Sequence, residues 1–394
     1  MNKSILIFGV AKLQRSLIVQ AKKLGLFTIG IDPDSNAECS ALVDVFETVA
    51  GNDYEKTLEV ARKYKISGVV TSATDKPLVM MARIAETLKL PFISVNSAIT
   101  STDKYLMKMA FIEGGIPFAY GKLVDKIEDF EYPVIIKPRD NSGSRGVIYC
   151  DNKFDAERGL KEAKSYTSQE SVLVEEYIEG DEYSIESLHF GGDSYVIQYT
   201  EKITTPSPYN VELGHDQPAN ISEKDRQEIN IIISKIAKAL GFNNCAAHTE
   251  LKIGKKGIFV IETSPRLGGD FITSHLVPLS TGINIEEALL KIAIGEKPNI
   301  KILFNKSAII RFLILEKGII SQLNLPERPT EEWDVEHFSF NLELGDDIPS
   351  IKNSLDRYGE VILRDDKLID VEKKYEIYLN KIKDRIKVEK PKIV

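Results

Sequence analysis

Cysteine is scarce: three residues in 394. Cys39, Cys150 and Cys245 stand far apart with no paired spacing. That excludes a disulfide framework and a cysteine zinc site, and it fits a reducing, cytoplasmic compartment. Long apolar runs are missing as well. No stretch approaches the roughly 20 residues of a membrane span, and the apolar run within Met1 to Val10 is too short for the core of a signal peptide. Nor is positive charge in excess, since 51 Lys and Arg against 59 Asp and Glu give a formal net charge of −8. The basic residues are scattered, so neither a nucleic-acid footprint nor a basic membrane-binding face is expected. There is no internal repeat and no low-complexity segment. What remains is ordinary globular text, 43% apolar and 28% charged, long enough for two or three domains.

The first hundred residues alternate strand and helix signals. Ser4-Ile-Leu-Ile-Phe-Gly9 is a strand ending in glycine, Leu13 to Leu24 has helical spacing closed by Gly25, and Phe27 to Asp32 is a second strand. This is the opening of a Rossmann-like unit. Dinucleotide binding would need G-x-G-x-x-G after the first strand. The text is Gly9-Val-Ala-Lys-Leu-Gln14, one glycine of three, so that function is excluded. Val69 to Thr71 and Pro77 to Leu90 continue the alternation, with Asp75 between them read as a helix N-cap rather than a substrate contact. Thr100 to Lys108 opens a further helix, with three hydroxyl residues as candidate caps. The first domain boundary falls near Ser97.

The most informative stretch is Tyr132-Pro-Val-Ile-Ile-Lys-Pro-Arg-Asp-Asn-Ser-Gly-Ser-Arg-Gly-Val-Ile148. Val134 to Ile136 reads as a buried strand. Pro138 stops it after Lys137, a small polar loop comes next, and Val147 starts a second strand. A lysine at a strand end beside such a hairpin is a plausible phosphate grip. Gly143 and Gly146 let backbone N–H groups approach an anion, and Ser142 and Ser144 add hydroxyl donors. It is not a P-loop, because no Gly-Lys-Ser/Thr ends it. Further on come a helix near Ala156 to Ser165, strands at Ser171 to Ile178 and Gly180 to Ser187, and an amphipathic helix bearing Ile229, Ile233, Ile236 and Leu240. The strands Ala247 to Ile253 and Gly257 to Glu262 are joined by Gly254-Lys-Lys-Gly257 and must be antiparallel neighbours. By simple alternation Glu262 shares a face with Val260 and Ile258, and Glu250 with Lys252 and His248. Two acids on adjacent strands facing one cleft suit a hard cation that bridges phosphate oxygens. From about Ser307 the text turns strand-rich and ends in a helix. It carries no motif, and its expected role is packing, over the nucleotide domain or at a dimer interface.

Taken in order, Asp103-Lys104, Ile136-Lys137-Pro138, Ser142 to Val147, Glu175 to Ile178 with Gly180-Asp-Glu182, Glu250, and Glu262-Thr-Ser-Pro-Arg-Leu-Gly-Gly269 resemble the ATP-grasp superfamily. Within it they resemble the carboxylate–amine ligases with a biotin-carboxylase-like N-terminal domain. The resemblance implies an α/β plus α+β chain: a Rossmann-like domain over 1–97, an ATP-grasp domain over 98–306 with a lid at about 115–180, and a small α+β module over 307–394. It implies ATP and Mg²⁺, or Mn²⁺, as cofactors, small-molecule carboxylate and amine substrates, and a homodimer. It also implies roles. Lys104 and Lys137 would contact the α- and β-phosphates, and Ser142, Gly143, Ser144 and Gly146 would close over the β- and γ-phosphates. Glu175 and the backbone of Tyr177 and Ile178 would read adenine, and Glu182 would hold the ribose. Glu250 and Glu262 would bind the metal, with Ser264 where related sequences often carry asparagine. Arg266 would face the transferring phosphoryl group. Glu212, His215, Gly268, Gly269 and Asp270 are candidates for the substrate side, where an acid or a histidine recognises an ammonium or acts as a base. The implied reaction is ATP-dependent amide or peptide formation through an acyl phosphate. Alternatives are a purine-biosynthesis enzyme of the same superfamily and an ATP-binding regulatory module without chemistry.

Overall fold

Ile5, Leu6 and Ile7 are fully buried in the first strand, β1 (Ser4–Phe8). Continuous rather than alternating burial is what a parallel strand covered on both faces requires. β2 (Phe27–Asp32), β3 (Val45–Thr48) and β4 (Gly68–Val70) complete a parallel sheet in the order β3-β2-β1-β4. With its flanking helices this is the Rossmann-like unit that the opening residues suggest. The chain is seen here as a computed structural model that describes residues 3–141, 143–167, 169–206, 210–326 and 329–390. Ser142 lies outside the described residues.

The hydroxyl residues at 100–102 do not open a helix. They close the preceding one, Val95–Thr102, where Ser101 and Thr102 donate back to the Ser97 and Ala98 carbonyls at 2.7 and 2.9 Å. Asp103 caps the next helix, Lys104–Gly114, by accepting from the backbone N–H groups of Tyr105 and Leu106. A carboxylate is favoured there because it meets both free N–H groups and the positive end of the helix dipole.

A second, antiparallel sheet carries the hairpin anticipated around Lys137. It comprises β5 (Gly121–Val124), β6 (Val134–Lys137), β7 (Ile148–Cys150) and β8 (Val172–Glu176), in the order β5-β8-β6-β7. Its small apolar core, which includes Val134, Ile136, Ala156 and Val174, is its own. The main core instead runs from Leu6 and Met81 through Phe111 and Ile236 to Val260, so the N-terminal and central parts are packed together.

The remaining strands are β9 (Asp181–Phe190), β10 (Asp193–Thr204), β11 (Glu212–Gln217), β12 (Cys245–Gly254), β13 (Gly257–Ser264), β14 (Ser307–Phe312), β15 (Ile319–Leu323), β16 (His337–Phe340), β17 (Gly359–Asp365) and β18 (Ile386–Glu389). Eight of them form one sheet ordered β13-β12-β9-β10-β11-β14-β17-β16, while β15 pairs with β18. The C-terminal segment thus continues the central sheet through the β11–β14 pair. Among the described residues no helix is long and apolar enough to cross a membrane.

One register detail overturns simple alternation. β12 and β13 pair with Glu250 opposite Glu262, but the next pair is Leu251 with Val260. Ile261 is therefore an extra residue on β13, a bulge that re-aims the side chain after it. Glu262 does not share a face with Val260 and Ile258, which are buried in the core. It turns toward the cavity that Glu250, His248 and Lys252 also line.

Candidate active site

A cavity of about 500 Å³ lies where the N-terminal unit, the β5–β8 sheet and the central sheet meet. Of the residues singled out from sequence, Lys104, Lys137, Gly143, Ser144, Glu175, Tyr177, Ile178, Glu182, Glu212, His215, Glu250, Glu262, Arg266, Gly269 and Asp270 line it. Gly146, Ser264 and Gly268 do not.

At the β8 end, β6 and β8 pair with Ile135 opposite Glu175. The Glu175 carboxylate is ion-paired with Lys137 and Lys108, each at 2.9 Å, and all three side chains are almost fully buried. Burial disfavours the charged glutamate, but the two lysines hold its carboxyl below the usual range. Burial also pushes the Lys108 amine down, against the pull of Glu175. Glu175, expected to read adenine, thus has its carboxylate engaged by two lysines. Lys108 escaped notice because it sits between Met107 and Met109 in a helix that reads as core. Its only signal is a lysine on a buried face, where its Nζ also donates to the Ala119 carbonyl at 2.6 Å.

The loop after β6 has positive φ at Gly143, Ser144 and Gly146 (70°, 56° and 76°), a tight left-handed turn at the cavity edge that Gly143 and Ser144 line. Lys104, in the first turn of its helix, donates to the Asn141 carbonyl at 2.7 Å and pairs with Glu262 at 2.9 Å. The helix start, this loop and the β13 acid are therefore tied together.

Across the cavity floor, Glu250 lies 3.2 Å from Lys202 Nζ and 3.4 Å from His248 Nε2. Lys202, on β10 and almost fully buried, also reaches Glu182 at 3.3 Å and Glu212 at 3.4 Å. Burial opposes its charge, yet the three glutamates raise its amine well above the ordinary lysine value. His248 Nδ1 meets Glu186 at 2.5 Å, and Glu186 in turn accepts from the Gly268 N–H at 3.3 Å. Burial works against the imidazolium, but Glu186 outweighs it and raises His248 to about 9. A Cβ on Gly268 would lie 2.7 Å from both Glu186 and His248, which explains the glycine there.

Asp75 is not an N-cap. The helix Leu78–Leu88 has Pro77 in the cap position with no side-chain cap. The Asp75 carboxylate crosses to the central domain instead, accepting from Ser264 Oγ at 2.5 Å and Arg266 Nε at 2.8 Å. Burial favours the neutral acid, but Arg266 holds the carboxyl below its usual range. Beside it Ala73 N–H donates to the Leu267 carbonyl at 3.3 Å. Ser264 is thereby turned toward Asp75 rather than toward the two strand acids.

At the far end, Arg357 clamps Asp270 with two hydrogen bonds of 2.8 and 2.6 Å. His215 Nε2 lies 3.3 Å from the same carboxylate. Burial notwithstanding, Arg357 holds the Asp270 carboxyl far below the ordinary range. Ser354 Oγ donates to Glu212 at 2.9 Å. The C-terminal segment, which carried no motif, thus supplies a wall of the site. His275 does not line the cavity and packs against Phe271 and His337.

Among the described residues no group of three or more His, Cys, Asp or Glu is placed to hold a metal ion by itself. Glu250 and Glu262, opposite each other and facing the cavity, do fit a hard cation of the magnesium kind. Such a cation takes one or two carboxylates and completes its shell with phosphate oxygens and water.

A model of the ATP-grasp domain matches residues 130–274. The alanine–anticapsin ligase of Bacillus amyloliquefaciens is 26% identical over 245 residues, covering 55% of this chain and 51% of the relative. The chain therefore spans about half the length of that curated relative. A solved L-amino acid ligase from Bacillus licheniformis superposes with a TM-score of 0.82 at 21% identity, over 99% of each chain. A phosphoribosylglycinamide synthetase from Anaerococcus prevotii gives 0.76 at 26% identity, over 99% of this chain and 100% of the other. The fold of the whole chain is the ATP-grasp fold with a parallel N-terminal sheet.

Proposed function

We propose that this chain, which carries an ATP-grasp domain, is an ATP-dependent ligase that joins a carboxylate to an amine and releases ADP and phosphate. The observation that carries the reading is the facing pair Glu250 and Glu262, set in one cavity with Lys104, Lys137, Lys202 and Arg266. Clustered cations beside paired acids suit a triphosphate and its counter-ion.

In this reading the backbone of Tyr177 and Ile178 receives adenine, Glu182 lies toward the ribose, and Lys104 and Lys137 contact the α- and β-phosphates. The N–H groups of the 143–146 turn close over the β- and γ-phosphates, and the segment at about 115–180 acts as the lid. Magnesium, or manganese in its place, would be held by Glu250 and Glu262, and when bound it neutralises phosphate charge. The substrate carboxylate attacks the γ-phosphorus, the bond to the ADP oxygen breaks, and an acyl phosphate forms. Arg266 steadies the phosphoryl group as it moves. The amine then attacks the acyl carbon and phosphate leaves. Asp270, kept ionised by Arg357, suits an ammonium ion rather than proton abstraction. With His215 Nε2 committed to Asp270, its Nδ1, unpartnered among the described residues, is the nitrogen that takes the proton the amine gives up. The divisions 1–97, 98–306 and 307–394, a homodimer and a cytoplasmic site of action belong to the same proposal.

The test is release of ADP and phosphate across a pool of amino acids, other small carboxylates and phosphoribosyl amines. Release that depends on an amino-acid pair supports the reading. Release only with a phosphoribosyl amine would move the protein to purine biosynthesis, and none with any pair would leave a binding module. Backbone recognition of adenine further predicts ATP over GTP, and equal binding of the two by calorimetry would remove the Tyr177–Ile178 assignment.

A further inference from the structure

Lys202 is the least expected member of the site. β10 delivers it to the middle of the central sheet, with 3% of its side chain exposed. Three strands each bring it a glutamate: Glu182 from β9, Glu212 from β11 and Glu250 from β12, all between 3.2 and 3.4 Å from Nζ. An ammonium has three protons to donate, so one lysine serves three acids. The cluster still carries more negative than positive charge.

The three acids have different tasks in the reading given above, on which this inference rests. Glu182 lies toward the ribose and Glu250 toward the cation, and Glu212, a candidate from sequence for the substrate side, is placed here toward the amine. Lys202 is therefore at the point where nucleotide and substrate meet. A compact ammonium suits that point because it acts as a charge without the fixed planar geometry of a guanidinium. Its two effects have opposite signs. A cation 3.2 Å from Glu250 competes with a metal ion for that carboxylate. The same cation attracts the polyphosphate that would bring the metal.

We propose that Lys202 is a positioning residue at the phosphoryl-transfer point. Shared among three carboxylates, it weakens the grip of Glu250 on a divalent cation taken alone. It strengthens the grip of the site on that cation and a nucleoside triphosphate taken together. Metal and nucleotide are thereby made to bind as a unit.

The experiment is calorimetry on the full chain with Mn²⁺ alone, and with Mn²⁺ plus a non-hydrolysable ATP analogue. Lys202→Met should bind Mn²⁺ alone about 10-fold tighter and the Mn²⁺–analogue pair about 10- to 100-fold weaker, the range for a hydrogen bond to a charged group. Lys202→Arg, which keeps the charge, should restore much of the analogue affinity. Circular dichroism checks the fold. Should Lys202→Met fail to fold with three acids uncompensated, the double variant Lys202→Met/Glu182→Gln removes one of them and is compared with Glu182→Gln alone, so that any effect of Glu182 on the nucleotide cancels. Two affinities that fall together, or that do not move, would make Lys202 a structural counter-ion and overturn the proposal. An unmodified protein that binds no analogue at all would instead sink the ATP-site reading, and this inference with it.

Discussion

Replacing Arg266 by alanine separates what the arginine does for chemistry from what it does for structure. Its Nε donates to Asp75 at 2.8 Å, with 13% and 27% of the two side chains exposed. A quarter-exposed carboxylate is partly screened, and Ser264 still donates to it at 2.5 Å after the arginine is gone. The structural cost should therefore be about 1–2 kcal/mol, below that of breaking a fully buried pair. The catalytic cost should be larger. Charge on the moving phosphoryl group is greatest in the transition state, so kcat should fall about 10²–10³-fold with ATP affinity nearly unchanged. Asp75→Asn tests the division. It removes the same ion pair but leaves the guanidinium, so it should match the stability loss while lowering kcat only about 10-fold by loosened orientation. Steady-state kinetics with a working substrate pair, nucleotide calorimetry and chemical denaturation supply the readouts. Because the Asp75 carboxyl is held below its unfolded value of 3.8, the pair stabilises the fold above that pH and the contribution is lost on further acidification. Arg266→Ala that weakens ATP binding and spares kcat would refute the assignment, and so would Asp75→Asn as damaging to kcat as Arg266→Ala.

Glu262→Gln should abolish phosphate release and barely move the melting temperature. Its pair with Lys104 is 29% and 14% exposed and is worth on the order of 1 kcal/mol; a large loss of stability would make Glu262 structural. Lys104→Ala should act chiefly on the KM for ATP, measured at saturating co-substrates, because it contacts ground and transition states alike. Glu286, buried and bonded to Ser16 Oγ at 2.6 Å, has its carboxyl pushed by burial from 4.5 up to about 7. The folded protein binds that proton more tightly than the unfolded chain, so its contribution is full below pH 4.5 and is lost as pH rises to about 7. Roughly 3 kcal/mol is the ceiling on that loss, and melting curves of Glu286→Gln should not show this slope.

The fold was legible wherever periodicity decides it. The β-branched run at Val134–Ile136, the opening strand–helix–strand and the glycine-ended helix at Leu240–Gly241 all lie where the residues put them. The facing acids were legible too, because a two-residue turn between glycines fixes the pairing of β12 with β13. The bulge at Ile261 was not, since alternation has no means of counting an inserted residue. What stayed hidden in the site are side chains whose meaning depends on distant partners. Lys202 looks like a surface lysine, and Lys108 is lost between methionines that read as core, until the three glutamates and Glu175 fold around them. Asp75 reads as a cap because the sequence does not show Arg266 arriving 191 residues later. Arg357 sits in text without a motif and is given its place by the β11–β14 pairing, which brings the C-terminal segment to Asp270.

The central claim is that a carboxylate takes the γ-phosphoryl group of ATP before an amine displaces it. The most direct test supplies a carboxylate substrate with heavy oxygen in its carboxyl group and tracks the released phosphate by mass spectrometry. An acyl phosphate requires that one labelled oxygen pass into the phosphate, with its partner retained in the amide. Phosphate that carries no label while amide forms would contradict the account.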